Sequence, residues 1–295
     1  MSYISEILQM LNQFPWLFIT YVTILGLLVG SFLNVVIYRL PIMMENSFKD
    51  EYEEYFHPEN QKTERKTFNL VVPRSACPNC GHMISAWENI PIISYIFLGG
   101  KCKGCKSKIS LRYPVVELLT GVLSFFVAYH FGPTVQMVGA LLLTWALIAI
   151  SGIDFDKMLI PDEIIYPMLW LGVLLNIDHV FVKSVEESIY GAVFGYLSLW
   201  GFYWVFKLLT KKEGMGYGDF KLVACLGAFL GYKMLPLIII GSAFLGAIVG
   251  VLIIIFSKDH QSKPIPFGPY IAVMGYVAMF FGHDLNAFYL RMILN

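Results

Sequence analysis

The sequence predicts an all-α polytopic membrane protein of about eight transmembrane helices, and three observations carry that expectation. AVILMFWYC residues make up 57% of the 295-residue chain, only 14% of residues are charged, and mean hydropathy is +0.64. Soluble domains run near a quarter charged, so this chain cannot hide its apolar residues in one water-facing core. The apolar residues also fall in long runs, broken by short polar hinges, at lengths that cross a bilayer as helices. Finally, the charge is concentrated: eleven of the 21 basic residues lie in one stretch, 39–112, which reads as the only soluble module. Basic and acidic residues balance at 21 each, which removes any global electrostatic case for nucleic acid as a partner.

Residues 1–38 are expected to form an N-terminal interfacial segment and the first transmembrane helix. Ile4, Ile7, Leu8 and Leu11 recur at helical spacing, which fits either a short helix on the outer interface or a frayed start to the first span. That span covers about 16–38. It lacks a basic leading segment and continues past signal length into Arg39, so it is expected to stay as an anchor. Residues 39–112 form the soluble module, and residues 113–295 hold seven more spans, near 113–131, 134–153, 163–178, 185–208, 219–232, 234–256 and 266–284. The run at 219–232 is short and Gly-rich. Glycines recur four apart at Gly26 and Gly30, Gly191 and Gly195, Gly227 and Gly231, and Gly246 and Gly250, a spacing that lets helix backbones approach closely in lipid.

Eight spans place both termini on one side, and loop charge then chooses the orientation. With the N-terminus outside, eighteen of the 21 basic residues fall on the cytoplasmic side, leaving Lys183, Lys233 and Arg291 outside. The positive-inside rule therefore puts residues 39–112 in the cytosol.

Four of the five cysteines lie in that module, as Cys77-Pro78-Asn79-Cys80 and Cys102-Lys103-Gly104-Cys105. Two such knuckles can turn four sulfurs toward one point and complete a tetrahedral zinc shell. The alternative, a pair of disulfides, does not suit a reducing cytosol. With all four positions filled by protein, the zinc is expected to be structural, folding a module too small to hold itself by apolar burial. Gly81 and Gly104 would supply the tight backbone. Cys225 reads as an ordinary small buried residue.

Ionisable groups at membrane spans are costly to place there and point to function. One expected span ends in Ser151-Gly152-Ile153-Asp154-Phe155-Asp156, followed by Lys157 through Pro161 and Asp162; another begins with Gly216-Tyr217-Gly218-Asp219. On the orientation above, both carboxylate groups sit at cytoplasmic helix ends, so they can meet. Two facing Asp residues are the equipment of an aspartyl protease, one taking a proton from water while the other polarises the scissile carbonyl. Asp154 and Asp156 project about 200° apart around a helix, and Asp154, deeper in the span, is the one favoured to face Asp219. Asp162 suits a helix N-cap, with a supporting substrate-binding role as the alternative. Gly216 and Gly218 permit a tight turn into the helix and let a substrate backbone pass close to Asp219. The residues alone leave other readings open: a proton- or cation-coupled transporter using the carboxylates as a relay, or a non-enzymatic assembly scaffold recruiting through the cysteine module.

The sequence resembles the type IV prepilin peptidases, the bifunctional prepilin leader peptidases with N-methyltransferase activity. The likeness runs through Gly30-Ser31-Phe32-Leu33-Asn34-Val35-Val36 to Arg39-Leu40-Pro41, both cysteine knuckles, Asn89-Ile90-Pro91, Ser110 through Glu117, Ile153 through Asp162, and Gly216-Tyr217-Gly218-Asp219. By this resemblance Asp154 and Asp219 are the catalytic pair, the latter in a GxGD pattern shared with presenilin-like intramembrane proteases. The family implies a multi-pass protein of the bacterial inner membrane with its active site facing the cytoplasm and lipid around its helices. Its substrates are prepilins or secretion pseudopilins, cut at the leader, and the new N-terminus is methylated from S-adenosylmethionine. No Gly-rich strand-to-helix loop for that donor is visible, so the methyl-transfer site is unknown from sequence, with Asn34, Arg39 and Glu117 the residues to watch. The module's eleven basic residues against eight acidic ones give no overall attraction for a basic leader, and residues 43–72 receive no role.

Overall fold

The computed structural model describes residues 13–57, 67–256 and 265–294. Ile4, Ile7, Leu8 and Leu11, and the interfacial helix expected there, lie outside the described residues. Among the described residues the regular structure is helical, apart from two isolated antiparallel bridges, Ala76 with Met83 and Lys101 with Lys108. The α-helices are α1 (Pro15–Phe56), α2 (Ile93–Phe97), α3 (Arg112–Phe131), α4 (Val135–Lys157), α5 (Asp162–Ile177), α6 (Val185–Thr210), α7 (Tyr217–Leu230), α8 (Leu235–Phe256) and α9 (Gly268–Leu294). All but the short α2 overlap the runs expected to span. Helices α1, α3, α4 and α6, and the run Tyr232–Phe256 that contains α8, are long and apolar enough to cross a membrane. The chain is a multi-pass membrane protein. Helices α5 and α7 and the apolar part of α9, Gly268–Gly282, are shorter.

The chain divides into two compact units, Met1–Tyr129 and His130–Asn295. In the first, α1 does not stop near residue 38. It runs 42 residues, about 63 Å at about 1.5 Å per residue, roughly twice the hydrocarbon thickness of about 30 Å. Arg39 reads from sequence as the charge that ends a span, yet it is buried at 7% exposure. Its guanidinium donates to the Asn69 and Pro73 carbonyls at 2.9 and 2.7 Å and lies 5.6 Å over the Phe68 ring, so the helix carries it without exposing it. Pro41 follows inside the helix. Against α1 lies α3, and the glycines explain how closely. A Cβ on Gly26 would meet the Ser124 side chain at 2.5 Å, and one on Gly30 would meet the Glu117 backbone at 2.8 Å.

In the second unit α7 is the hub. It has only 14 residues, ten of them buried, about 21 Å of helix. A helix that short does not span by itself, and is tolerated where protein surrounds it. Gly191 of α6 and Gly227 of α7 approach so closely that a Cβ on either would strike the other's backbone. Leu226 fills the space a Cβ on Gly275 of α9 would need, and Phe229 does the same at Gly172 of α5. The C-terminal carbonyls of α7 are met from outside the helix. Asn176 Nδ2 donates to the Ala228 and Phe229 carbonyls at 2.8 and 3.1 Å, while its Oδ1 accepts from the Phe181 and Val182 amides at 2.9 and 3.2 Å. The Ser188 hydroxyl donates to the same Ala228 carbonyl. Two Ser/Thr caps start the flanking helices: Thr134 accepts from the Met137 amide and Ser184 from that of Glu187. Cys225 is buried, as expected of a small packed residue.

Candidate active site and candidate metal centre

Within the second unit, Asp154 and Asp219 are both buried, at 5% and 6% exposure, and lie within electrostatic reach of each other. Asp154 sits one turn before the end of α4, which terminates through Met158 in the left-handed region (φ 53°) with its amide on the Asp154 carbonyl at 2.9 Å. Asp156, two residues on, is exposed, as the 200° separation requires. Asp219 occupies the first turn of α7, with the Gly216 N–H directed at its carboxylate. Among buried side-chain polar atoms of the described residues, Asp219 Oδ1 is the one with no hydrogen-bond partner. A buried carboxylate oxygen left open is costly unless something else meets it.

The start of α9 completes the arrangement. The Gly268 amide donates to Asp154 Oδ2 at 3.0 Å, and a Cβ there would lie 2.7 Å from the same oxygen. Ile160, in the link between α4 and α5, packs against both helix starts: a Cβ on Gly218 would meet its Cβ at 2.7 Å, and one on Gly268 its Cδ1 at 3.1 Å. The missing Cβ of Gly218 thus lets Ile160 pack close against the start of α7. Gly216 remains exposed, with Asp219 Oδ2 3.7 Å from its ideal Cβ position. The N-cap expected at Asp162 is corrected. Asp162 is the first residue of α5 rather than its cap, which is Pro161 without a side-chain cap bond, and both its oxygens accept from Lys221 Nζ at 2.8 Å. It joins α5 to α7 through Lys221, two residues past Asp219.

Nothing in the sequence alone singles out Gly268. It lies in Pro266-Phe267-Gly268-Pro269, a Pro/Gly-rich start to the last apolar run, which reads as punctuation until the fold brings it to Asp154. In the sequence Lys221 contributes only to the loop-charge bias.

In the first unit, the four cysteine sulfurs lie within 4.8 Å of one another. Cys77 and Cys105 sulfurs are 3.8 Å apart, and those of Cys80 and Cys102 are 3.9 Å apart. Four thiolates at about 2.3 Å from one ion stand about 3.8 Å apart, whereas a disulfide requires about 2.05 Å. The cluster can therefore hold a metal ion. The two knuckles repeat one backbone design. The Cys77 amide donates to the His82 carbonyl and the Gly81 amide to the Cys77 carbonyl; in the second, Cys102 donates to Ser107 and Lys106 to Cys102. The left-handed residue each turn needs is Gly81 (φ 71°) in one and Lys106 (φ 60°) in the other. Gly104 serves differently from expected: a Cβ there would press on His82 and on the Cys80 sulfur at 3.2 and 3.3 Å, so it permits close approach rather than a special φ.

Glu88 ties the two knuckles together. It accepts from the Ser85 amide at 3.0 Å, contacts His82 Nε2 at 3.1 Å and pairs with Lys103 Nζ at 3.3 Å. These contacts, the Ser85 N–H first among them, hold its carboxyl down to about 2. The Asn79 and Cys80 amides lower the Cys77 thiol to about 6. At Cys80 the His82 amide favours the thiolate, but the neighbouring Cys105 and loss of solvent outweigh it and the thiol is pushed up to about 11. One thiol ionises readily and its neighbour resists, the behaviour of a cluster whose negative charge awaits a cation.

Fold and sites together define a multi-pass helical membrane protein with a buried carboxylate pair in one unit and a four-thiol centre in the other. The bacterial peptidase A24 N-terminal domain matches residues 24–131, and the type IV leader peptidase family matches residues 141–251. The chain is 50% identical over 288 residues to a prepilin leader peptidase/N-methyltransferase of Aeromonas hydrophila, covering 98% of this chain and 99% of that one. The protein of that name from Pseudomonas aeruginosa is 51% identical over 285 residues (97% and 98% covered), and that from Legionella pneumophila 42% over 278 (94% and 96%). No solved structure matches. This chain belongs to the type IV leader peptidase family and is an enzyme.

Proposed function

We propose that the protein is an aspartyl endopeptidase that removes the leader from type IV prepilins or pseudopilins at the cytoplasmic face of the bacterial inner membrane, then methylates the new N-terminal amine using S-adenosylmethionine. The observation that carries the peptidase reading is the pair of buried carboxylates, Asp154 and Asp219, brought from separate helix ends with one Asp219 oxygen open. Two buried carboxylates that feel each other's charge share a proton and titrate as a unit. The ionised member takes a proton from a water molecule as its oxygen attacks the scissile carbonyl carbon. The protonated member hydrogen-bonds the carbonyl oxygen, and the carbon–nitrogen bond then breaks as the leaving nitrogen takes up a proton. Gly268 aims Asp154, Ile160 spaces the two helix starts, and the Asp162–Lys221 pair holds α5 to α7. Gly216, exposed beside Asp219, is the residue along which substrate backbone passes.

The cytoplasmic placement is supported by the loop-charge bias, under which both carboxylates face the reducing side. Lipid covers the outward faces of the spanning helices. Zinc is the ion the four-cysteine centre suits, by sulfur spacing and an all-thiolate donor set. With four protein ligands it builds the module and takes no part in hydrolysis. Residues 39–112 form the zinc-binding module that follows the anchor of 1–38, and residues 113–295 the membrane peptidase part.

In the second reaction the unprotonated amine attacks the donor's methyl carbon. An N–C bond forms as the C–S bond breaks, the electron pair stays on sulfur, and the nitrogen releases a proton to water.

The test is purified protein mixed with a prepilin in detergent. Wild type is expected to yield a cleaved pilin and, with labelled S-adenosylmethionine, a labelled N-terminus. Asp154→Asn and Asp219→Asn should each lower cleavage by at least about 100-fold while keeping the metal and the melting temperature. Undiminished cleavage by either variant would remove the proposed chemistry.

A further inference from the structure

The first unit holds a cavity of about 510 Å³, within the size range of small-molecule and cofactor sites. On its wall are two buried charges of opposite sign, Arg39 and Glu117, at 7% and 8% exposure. Among the described residues no ion pair joins them and neither has another charged partner. Arg39 is held by two backbone carbonyls. Glu117 accepts from the Ile92 amide at 2.8 Å and has the Ser31 hydroxyl beside it. Buried charges left without counter-ions are expensive, and two of opposite sign that line one cavity without pairing suit a ligand carrying both signs.

The backbone at Ile92 adds an independent sign. This β-branched residue sits at φ 61°, ψ −48°, outside the regions such residues occupy. Strain of this kind persists where surroundings over-determine it, and it gathers at ligand clamps. Here it turns an N–H onto Glu117. Asn34, also buried on this wall, is fixed by bonds to the Gly30 and Tyr113 carbonyls at 3.3 and 3.1 Å. Tyr38 and Tyr95 offer aromatic faces.

We propose that this cavity is the methyl-donor site: it takes an adenosyl sulfonium amino acid, with Glu117 facing the sulfonium, Arg39 the ligand's carboxylate, and Tyr38 or Tyr95 stacking on the adenine. A sulfonium presents no hydrogen-bonding atom. It is recognised by charge or by an aromatic face, and a thioether of the same shape, lacking charge, is not. The inference deepens the methyl-transfer half of the function proposed above and rests on it.

The experiment uses the full-length, metal-loaded protein in detergent and reads binding by equilibrium dialysis. Wild type is expected to prefer S-adenosylmethionine over S-adenosylhomocysteine. Glu117→Gln keeps an acceptor for Ile92 and should weaken S-adenosylmethionine at least about tenfold while changing S-adenosylhomocysteine little. Arg39→Gln should weaken both equally, because both carry the carboxylate. Metal content and melting temperature report folding. An unchanged preference in a folded, metal-loaded Glu117→Gln protein overturns the site. Independently of any variant, wild type photolabelled with 8-azido-S-adenosylmethionine should carry label on peptides within 31–38, 75–95 or 107–117, and label confined to 130–295 overturns it. If wild type binds no S-adenosylmethionine and transfers no methyl group, the methylation reading itself fails. If it methylates but labels elsewhere, only the site is wrong.

Discussion

At the level of single residues, the carboxylate pair depends on groups that do no chemistry. Gly268 is the sharpest case, because its amide holds Asp154 Oδ2 and its missing Cβ leaves room for that oxygen. Gly268→Ala would set a methyl 2.7 Å from Oδ2. The carboxylate end of Asp154 can rotate away at little cost to packing, but in doing so it gives up the amide and its aim. Displacements on this scale cost on the order of 100-fold in rate, so cleavage should fall by about 10- to 100-fold with the melting temperature nearly unchanged. Cleavage kinetics and a thermal melt of the same sample check both halves. The two aspartates themselves were legible in the sequence because each is a charge at the edge of an apolar run, where a charge needs a reason. Gly268 was not, since a glycine between prolines marks a turn and nothing local says which carboxylate waits there. Asp162 was legible as important and misread as a cap, because its partner Lys221 lies 59 residues away.

Among the helices, the seam between α6 and α7 shows what the glycine spacing can and cannot tell. Four pairs of glycines share one spacing, yet they are not equivalent. A Cβ at Gly191 would strike the backbone of Gly227, and backbone cannot give way, whereas a Cβ at Gly246 would meet side chains, the Tyr270 ring at 3.3 Å and the Phe267 ring at 3.6 Å, and one at Gly250 only Ile265 at 3.7 Å. Gly191→Ala should therefore destabilise by about 1–3 kcal/mol, and Gly250→Ala should have no measurable effect, as thermal melts in detergent would register. The other end of α7 rests on Asn176. Removing its amide in Asn176→Ala strands the Phe229 carbonyl and two amides and leaves the Ala228 carbonyl to Ser188 alone, a loss of about 1–3 kcal/mol that should free the end of α7 to amide exchange before the rest of the unit. Helix existence was readable from apolar run length throughout, because lipid leaves helices as the economical answer. Helix ends were less so. The span expected to close at residue 38 continues to Phe56 since Arg39 is satisfied sideways by the Asn69 and Pro73 carbonyls, contacts that a linear reading does not contain.

For the molecule as a whole, two compact units mean that loss of metal should be felt unevenly. The module around the knuckles has two isolated bridges and one five-residue helix, too little apolar burial to persist unaided. The second unit is held internally by α7 and its neighbours. A strong chelator should therefore expose residues 75–109 to protease while fragments from 130–295 stay protected, and donor binding should disappear with the metal. Acid should do the same. The Cys77 thiol, lowered to about 6 by the Asn79 and Cys80 amides, is ionised at neutral pH and ready to ligate. A bound cation favours all four thiolates further, so protons displace it only as the solution turns acid, and metal occupancy should fall with pH. Glu88 offers a contrast. Its carboxyl is depressed to about 2, so what it contributes is complete above the ordinary carboxylate range near 4.5 and is lost only as pH drops through about 2. If the thiols govern, metal is lost while Glu88 still bridges His82 and Lys103, and removing the Glu88 charge leaves the midpoint where it is. If the clamp governed, Glu88→Gln would lose metal at a higher pH than wild type. Metal content measured after dialysis across pH 3–8, on wild type and on Glu88→Gln, separates the two: the midpoint should be the same in both proteins.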